Sequence, residues 1–514
     1  MKRKWTWALL LAAWTACQGG NGNPAVPDVP DTDRDEASVD LREVPLDGGQ
    51  EDEASQPADE GSDPVLEEAG TDAPGDLARD LPLEEGPPLP CPPSRWPSGN
   101  FAPFGDLGDP MIQIHPAVAF DGEAVWWAFN LPAGDGSGNL SPWAARMACD
   151  GSFLVPPFRV EAEGYNAVDP AIAVSGDSVL VAWQTDVPEE APANMSVRVR
   201  AFLQDGTPRT DGPLRLVPRS GGEPVAATLW MPNLAPTTSG FLLSATLADP
   251  NRGKFQTILS RLGFDGRVLD AGEGQVGDWW MPAPDEGASQ TYGTALEQDG
   301  LWVTWVRSPE EASDQVQVVH GPVFGGPLDG PPAWFPDSST PGSAPVLASR
   351  GGDQALVVLG ASVGTSDVAI RIRQVHPAPP SPRDLVLDAP GRQDVAPALA
   401  LGPTGGMAAW FRIRSGYLAD VRTQAFRTDP EGLTPEAEER LINETEDGEP
   451  HDAIAAYPLA VTPVGPGAFL VAWVERRKVP GQDARYQATA RFVETSSTME
   501  SAAAEGLIGG LREP

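Results

Sequence analysis

The sequence predicts an all-β protein: a seven-bladed β-propeller of four-stranded antiparallel blades, preceded by a signal peptide and a disordered acidic linker. A short sequence motif recurs along the chain, most clearly at 169–183. It combines a strand opened by proline, a tight turn and a second apolar strand closed by a large aromatic residue, which is a hairpin pattern. The repeats start near Pro116, Pro170, Pro232, Tyr292, Pro345, Pro397 and Pro458. Their mean spacing of 57 residues is typical of propeller blades.

The aromatic residue that closes each hairpin keeps a fixed distance from the residue that opens it. The distance is thirteen residues in four repeats and fifteen in the last, and in the fourth repeat Tyr292 takes the place of proline. The closing aromatics are Phe129, Trp183, Trp305, Trp410 and Trp473. The repeats that open at Pro232 and Pro345 keep the spacing without an aromatic residue.

A third and a fourth strand are predicted after each hairpin, as at 196–202 and 214–216. The seventh repeat has a third strand at 485–492 but no sequence that resembles a fourth. Because an open blade would expose a sheet edge, we predict that the segment 91–104 supplies the missing strand. Cys91 and Cys149 are predicted to pair, since export permits disulfides, and two free thiols are the alternative.

The N-terminus has the pattern of a secretory signal. Three basic residues at 2–4 precede an apolar run at 5–14, which is too short to span a bilayer. The segment resembles a bacterial lipoprotein signal, in which Cys17 would be lipidated and become the mature N-terminus. Trp14 departs from that pattern, and Gln18 fits sorting to the outer membrane. The predicted location is therefore the outer membrane or cell surface, or the periplasm or medium if cleavage nearby leaves a soluble protein.

Composition divides the chain into a signal at 1–17, a linker at 18–90, a propeller at 91–493 and a tail at 494–514. The linker has 21 acidic residues against three Arg, and no aromatic residue, so it is predicted to be disordered. It carries −18 of the net charge of −38, and the chain from Cys91 onward carries −23. The negative electrostatic field of these charges disfavours nucleic acid as a partner.

Two faces of the predicted propeller differ in loop length. The second-to-third turns and the connections between blades share one face and include the stretches 131–142, 185–194, 218–230, 271–290 and 325–343. Long loops on a rigid scaffold commonly carry binding residues. The aromatic candidates near these loops, for stacking on a sugar ring or a protein partner, are Trp143, Trp230, Trp279, Trp280, Trp334 and Phe335. Packing between blades is the alternative for each of them.

Basic residues form a second candidate group on the same face. Arg412 and Arg414 are predicted to approach Arg476, Arg477 and Lys478 and to hold an anionic group, with salt bridges to neighbouring carboxylates as the alternative.

The sequence contains little that indicates a catalytic site. The four histidines at positions 115, 320, 376 and 451 occur singly, and neither a metal site nor a cofactor is predicted. The repeats resemble sialidase-type propeller repeats of exported bacterial proteins of unassigned function. They lack the Asp box of that family, because Val179 stands where glycine should follow the sequence at 175–177. The resemblance therefore implies the fold and no catalytic residues.

The sequence favours a non-catalytic envelope or surface lipoprotein whose long-loop face binds a glycan or a protein. A glycan-acting hydrolase or lyase on the same face is one alternative. A structural scaffold within an envelope complex is another.

Overall fold

The computed structural model describes residues 91–495 with gaps. The segments left out are 106–113, 135–136, 138, 162–165, 187–194, 217–218, 221–222, 225–227, 250–252, 270–278, 283–287, 298–299, 310–313, 323, 325–332, 335–343, 350–354, 363–366, 376–383, 388–391, 404, 430–431, 437, 445–450 and 478–484. The predicted signal peptide and linker, and the tail beyond Thr495, lie outside the described residues.

The described strands form consecutive antiparallel sheets, mostly of four strands. The first sheet contains β1 (Ile114–Phe120), β2 (Val125–Pro132), β3 (Leu140–Met147) and β4 (Phe153–Arg159). The second contains β5 (Ala167–Ser175), β6 (Ser178–Thr185), β7 (Ser196–Leu203) and β8 (Leu214–Leu216), followed by a hairpin of β9 (Arg219–Ser220) and β10 (Glu223–Pro224). The third contains β11 (Thr228–Thr237), β12 (Gly240–Asp249) and β13 (Lys254–Leu262). The fourth contains β14 (Ala288–Glu297), β15 (Leu301–Pro309), β16 (Gln315–Gly321) and β17 (Ala333–Trp334).

The remaining strands complete the order along the chain. The fifth sheet contains β18 (Val346–Ala348), β19 (Ala355–Ser362), β20 (Val368–Val375) and β21 (Asp384–Leu387). The last sheet contains β22 (Asp394–Leu401), β23 (Gly406–Ser415), β24 (Leu418–Asp429), β25 (Gly432–Pro435), β26 (Arg440–Leu441), β27 (Asp452–Ile454), β28 (Ala460–Gly465), β29 (Ala468–Arg477) and β30 (Arg485–Glu494). A single 3₁₀ turn, Pro93–Arg95, precedes all the described strands.

The sheets pack face to face, and each apolar core lies between two of them. Trp126 and Trp127 show why: neighbours on a strand point to opposite faces. Trp126 packs with Trp183 of the second sheet, and Trp127 packs with Leu470 near the end of the chain. The first strands β1, β5, β11, β14, β18, β22 and β28 contact one another in this order, and β28 contacts β1. The first strands therefore surround a central axis, which is a propeller-like arrangement.

The closure predicted for the two ends of the chain is confirmed by backbone pairing. Phe101 pairs with Ala490 of β30, and the two residues exchange N–H···O hydrogen bonds of 3.0 and 2.9 Å. The Trp96 ring stacks on Phe492 with centroids 4.9 Å apart. The segment before β1 thus covers the edge of the last described strand, which would otherwise be open to pairing with another chain.

A disulfide joins the same segment to the first sheet. Cys91 and Cys149 are bonded, with Cα atoms 5.5 Å apart and a sequence separation of 58. Both cysteines are buried beside Phe104 and Met147. The covalent link and the aromatic stacking therefore hold one segment against both ends of the ring.

A one-residue β-bulge explains the thirteen-residue spacing. Three steps along β1, from Ile114 to Ala117, face only two steps along β2, and Phe129 stands opposite the bulge. Equivalent shifts occur in β5, β11, β14 and β22. Proline is tolerated at bulges because the ladder hydrogen bond is already lost there. The recurrent aromatic residues are buried opposite these bulges and stabilise the repeat.

Two features differ from the sequence predictions. The loop expected at 131–142 is shorter, because β2 extends to Pro132 and β3 begins at Leu140. The short strand β27 was not predicted. It pairs with both β24 and β29, so the last two repeats share one continuous sheet.

Candidate functional site

In five of the seven first strands the bulge holds one residue in a left-handed backbone conformation. These residues are His115, Asp169, Met231, Tyr292 and Ala396, with φ between 49° and 57°. Such a conformation costs on the order of 1–3 kcal/mol for a residue other than glycine. Because Met231 and Ala396 share it, the conformation belongs to the repeat rather than to a site. What varies between repeats is the side chain at this position.

Three of these positions carry a polar or aromatic side chain: His115, Asp169 and Tyr292. His115 Nδ1 lies 2.6 Å from Asp169 Oδ1, in a close contact without a directed hydrogen bond. The His115 ring meets the Tyr457 ring edge to face, with centroids 5.2 Å apart. Tyr457 precedes the opening Pro458 in sequence, as His115 precedes Pro116, but it lies before the start of β28 and outside any bulge. We call His115, Asp169, Tyr292 and Tyr457 the axial cluster.

Tyr292 is the member of this cluster with a shifted ionisation. Burial raises the pKa of the Tyr292 phenol, and the charges of Asp169 and Asp314 raise it further. The phenol therefore remains a neutral hydrogen-bond donor well above neutral pH. Its backbone N–H donates to Thr246 Oγ1 of the third sheet, at 3.3 Å.

The axial cluster lies toward the long-loop face. The described members at the bulges stand near the beginning of their first strands, where the chain enters from the preceding sheet. A second tyrosine, Tyr486 of β30, has its ring 6.2 Å from that of Tyr457. Both rings pack on buried Leu140 and Val474. The site therefore combines aromatic rings, a carboxylate and an imidazole, which different sheets contribute.

The aromatic residues singled out in the sequence lie mostly within packed structure. Trp143 is on β3, opposite Phe129, and packs on the core that closes the ring. Trp230 is on β11, and its ring centroid is 5.0 Å from that of Phe255. Both tryptophans are half-buried, and their indole N–H groups are buried without a hydrogen-bond partner. This placement favours the packing alternative for both.

The later aromatic candidates follow the same trend where they are described. Trp279 is half-buried against the core of the second and third sheets. Trp280 pairs with Leu259 through its backbone and meets Phe324 with centroids 5.2 Å apart. Trp334 is in β17, but its side chain is outside the described part of the chain. Phe335, the last aromatic candidate, also lies outside the described residues.

Arg412 is buried in ion pairs with neighbouring carboxylates, which is the alternative considered for it in the sequence. Its side chain is 6% exposed, and its guanidinium donates to both carboxylate oxygens of Asp394, each at 2.8 Å, and to Glu439. Burial favours loss of the charge, but the hydrogen bonds and charges of Asp394 and Glu439 outweigh it and raise the Arg412 pKa. Sequence alternation could not reveal this, because Glu439 lies 27 residues away in a separate strand connection.

The other predicted arginines do gather, around β27. Arg414 Nη2 donates to Asp452 Oδ1 at 3.0 Å, and Asp452 stands opposite Arg476 in the sheet. Arg477 Nε is 3.5 Å from Glu475 Oε2, at the limit of a hydrogen bond. Residue 478 is outside the described residues.

The remaining histidines are separate from the axial cluster. His320 is buried against Trp302, with ring centroids 4.4 Å apart. His451 Nδ1 lies 2.8 Å from Glu475 Oε1, and His376 is outside the described residues. Within the described ranges no group of three metal-ligating side chains converges. No helix among those residues is long and apolar enough to cross a bilayer.

The sequence signal for the axial cluster is the residue immediately before each opening proline. The fourth repeat hid this signal, because Tyr292 was aligned with the prolines. The bulge instead aligns Tyr292 with His115 and Asp169 and places Gly293 at the proline position. Glycine is needed there, because a Cβ would collide with the Thr257 side chain.

Comparisons with known proteins give structural neighbours only. No protein-family model and no curated protein matches the sequence. A Dyadobacter fermentans protein of unknown function is 12% identical, with a TM-score of 0.44 over 77% of this chain and 98% of its own. The β-propeller domain of the Trilobed protease from Pyrococcus furiosus is 8% identical, with a TM-score of 0.40 over 76% and 99%. Trypanosoma rangeli sialidase is 7% identical, with a TM-score of 0.38 over 77% and 56%.

These neighbours are sialidase-like and other β-propeller proteins. The chain is an all-β protein with a β-propeller-like repeat fold, built from several four-stranded antiparallel sheets.

Proposed function

We propose that this chain is an exported, lipid-anchored, seven-bladed β-propeller that binds a glycan at the axial cluster. The blade number is supported by the closed order of contacts among the first strands, of which there is one for each repeat in the sequence. The same reading assigns residues 1–17 to the signal, 18–90 to the linker, 91–493 to the propeller and the rest to a tail.

The observation that carries the binding proposal is the position of His115 between two other sheets. It contacts Asp169 of the second sheet at 2.6 Å and Tyr457 near the start of β28 at a ring distance of 5.2 Å. Sugars present flat apolar faces and rings of hydroxyl groups, which match aromatic rings beside a carboxylate. Convergence of such groups at the long-loop end of the axis favours a polar, ring-bearing ligand.

The same contact favours a second candidate, a glycan-acting hydrolase or lyase. A carboxylate against an imidazole, with a neutral phenol close to that carboxylate, is a set from which an acid and a base could be drawn. In this alternative Asp169 or His115 would exchange a proton with the substrate. A scaffold role remains the third candidate and would place the contacts on the sheet edges instead.

A binding and turnover assay on one polysaccharide panel separates these candidates. We expect Tyr457→Ala to weaken glycan binding about tenfold, since loss of a stacking ring costs on the order of 1.4 kcal/mol. Tyr417→Ala is the matched control, because Tyr417 is 45% exposed on the β23–β24 turn, outside the axial cluster. Products released by the native chain and lost in Asp169→Asn would establish the enzyme. If no polysaccharide binds, or if both tyrosine variants bind like the native chain, the axial proposal is wrong.

The anchor is a proposal that rests on the sequence alone. We propose lipidation of Cys17, which would hold the protein at the outer membrane without a spanning helix. Mass spectrometry of the mature protein is expected to show an acylated N-terminal cysteine, and Cys17→Ser should release the protein from the membrane fraction. An unmodified mature N-terminus elsewhere would show instead a periplasmic or secreted protein.

A further inference from the structure

The end of the β29–β30 hairpin concentrates positive charge in an acidic protein. Arg476 and Arg477 close β29, Arg485 opens β30, and a lysine follows at position 478 in the sequence. The chain as a whole carries a net charge of −38. We call Arg476, Arg477 and Arg485 the basic tip.

Folding alone does not account for the basic tip. Arg477 and Arg485 stand directly opposite each other in the antiparallel register, and like charges in that position destabilise a sheet. Arg476 Nε is buried without a hydrogen-bond partner, which also costs free energy. Both costs fall on the same short stretch of one hairpin.

Among the described residues, the carboxylates near Arg476 and Arg477 are already engaged by other groups. Glu475 is fully buried and is contacted by His451 Nδ1 at 2.8 Å and Thr489 Oγ1 at 3.2 Å. Asp452 accepts a hydrogen bond from Arg414 at 3.0 Å. The contact of Arg477 with Glu475 is long, at 3.5 Å, and the Arg477 side chain is 46% exposed. The arginines at the end of β29 therefore face less negative charge than they could neutralise.

The tip is continuous with the axial cluster. Arg476 pairs across the sheet with Tyr486, so the two side chains share a face. Val474, two residues earlier on that face, packs with Tyr457 and Tyr486. The Tyr486 and Tyr457 rings lie 6.2 Å apart, and Tyr457 contacts His115. Aromatic groups thus lead from the axis to Arg476.

We propose that the basic tip binds the anionic substituents of an acidic polysaccharide whose sugar rings occupy the axial cluster. The inference rests on the proposed glycan binding and adds the chemical class of the ligand. Guanidinium groups recognise carboxylate, sulfate and phosphate through paired N–H donors, and an unpartnered Nε adds one more donor. On a protein that otherwise repels anions, the tip also fixes the direction in which the polymer lies.

The test compares acidic polysaccharides with neutral counterparts on the full chain. The probes are polygalacturonate and the same polymer after carboxyl reduction, and dextran sulfate with unmodified dextran. We expect the Arg476→Gln/Arg477→Gln variant to lose at least tenfold in affinity for an acidic probe and to show a flatter salt dependence. Its affinity for the neutral counterpart should be unchanged.

Two further variants serve as controls. Arg267→Gln removes one positive charge from a side chain that is 73% exposed on the opposite, tight-turn face, and it should bind like the native chain. Arg476→Lys keeps the charge but loses the paired N–H donors, so its affinity for acidic probes should lie between those of the native chain and the double variant.

Three outcomes would overturn the inference. Native-like binding of acidic probes by the double variant excludes the tip while glycan binding itself stands. If the double variant loses affinity equally for acidic and neutral probes, the tip has a structural role. If the native chain binds none of the acidic and neutral probes, both this inference and the proposed function are wrong.

Discussion

Replacing Phe104 by alanine is expected to lower the free energy of unfolding by about 3–5 kcal/mol, the range for loss of a buried phenylalanine. Phe104 is 2% exposed and stacks on Phe129 at a centroid distance of 3.8 Å. It also meets the Trp127 ring edge to face at 5.5 Å. Because Phe104 belongs to the segment that closes the ring, its removal weakens the closure as well as the core.

Hydrogen exchange distinguishes a closure defect from a general loss of stability. The Ala490 amide donates to Phe101 O at 2.9 Å, so its protection reports the closing pair. In Phe104→Ala this amide should lose more protection than amides of the β6–β7 pair, and chemical denaturation should give the global change.

Phe153→Ala is the matched control. Phe153 is a neighbour of Phe104, with ring centroids 6.2 Å apart, but it is 37% exposed at the edge of the first sheet. Its replacement should cost about 1 kcal/mol or less. Equal destabilisation by the two variants would mean that Phe104 does not hold the closing segment.

Replacing Arg412 by alanine is expected to destabilise the protein by about 3–5 kcal/mol, because it leaves a buried carboxylate without its partner. Asp394 is 1% exposed and stands directly opposite Arg412 in the β22–β23 register. Both of its carboxylate oxygens accept from Arg412, so both lose their donor in the variant. Urea denaturation of the native chain and the variant measures the difference.

Arg209→Ala supplies the comparison for a surface pair. Arg209 Nη2 lies 2.6 Å from Asp177 Oδ1, but Asp177 is 75% exposed, so water can replace the lost partner. The expected cost is about 0–1 kcal/mol. If Arg412→Ala costs no more than this control, the buried pair does not stabilise the sixth repeat.

Much of the fold follows from local sequence patterns. The hairpin motif, its spacing and its closing aromatic predicted the first and second strands of the repeats, because these depend on turns and on side chains two residues apart. The requirement to cover an open sheet edge predicted the closing role of the segment that contains Phe101.

The candidate site could not be assembled in the same way. His115 and Tyr457 are 342 positions apart in the sequence, and they meet because the ring closes. Arg412 looked like a rim cation, since alternation along β23 does not show that Asp394 and Glu439 enclose it. Both cases concern contacts between distant segments.

By itself the sequence determined the repeat, its strands, the buried aromatics opposite the bulges and the segment that closes the ring. The tertiary structure alone decided which side chains reach the axis together and which arginines stay near the surface. The physical reason is that turns and alternation act within a few residues. A bulge, by contrast, carries a side chain to the axis, and only the packing of neighbouring sheets determines what that side chain meets there.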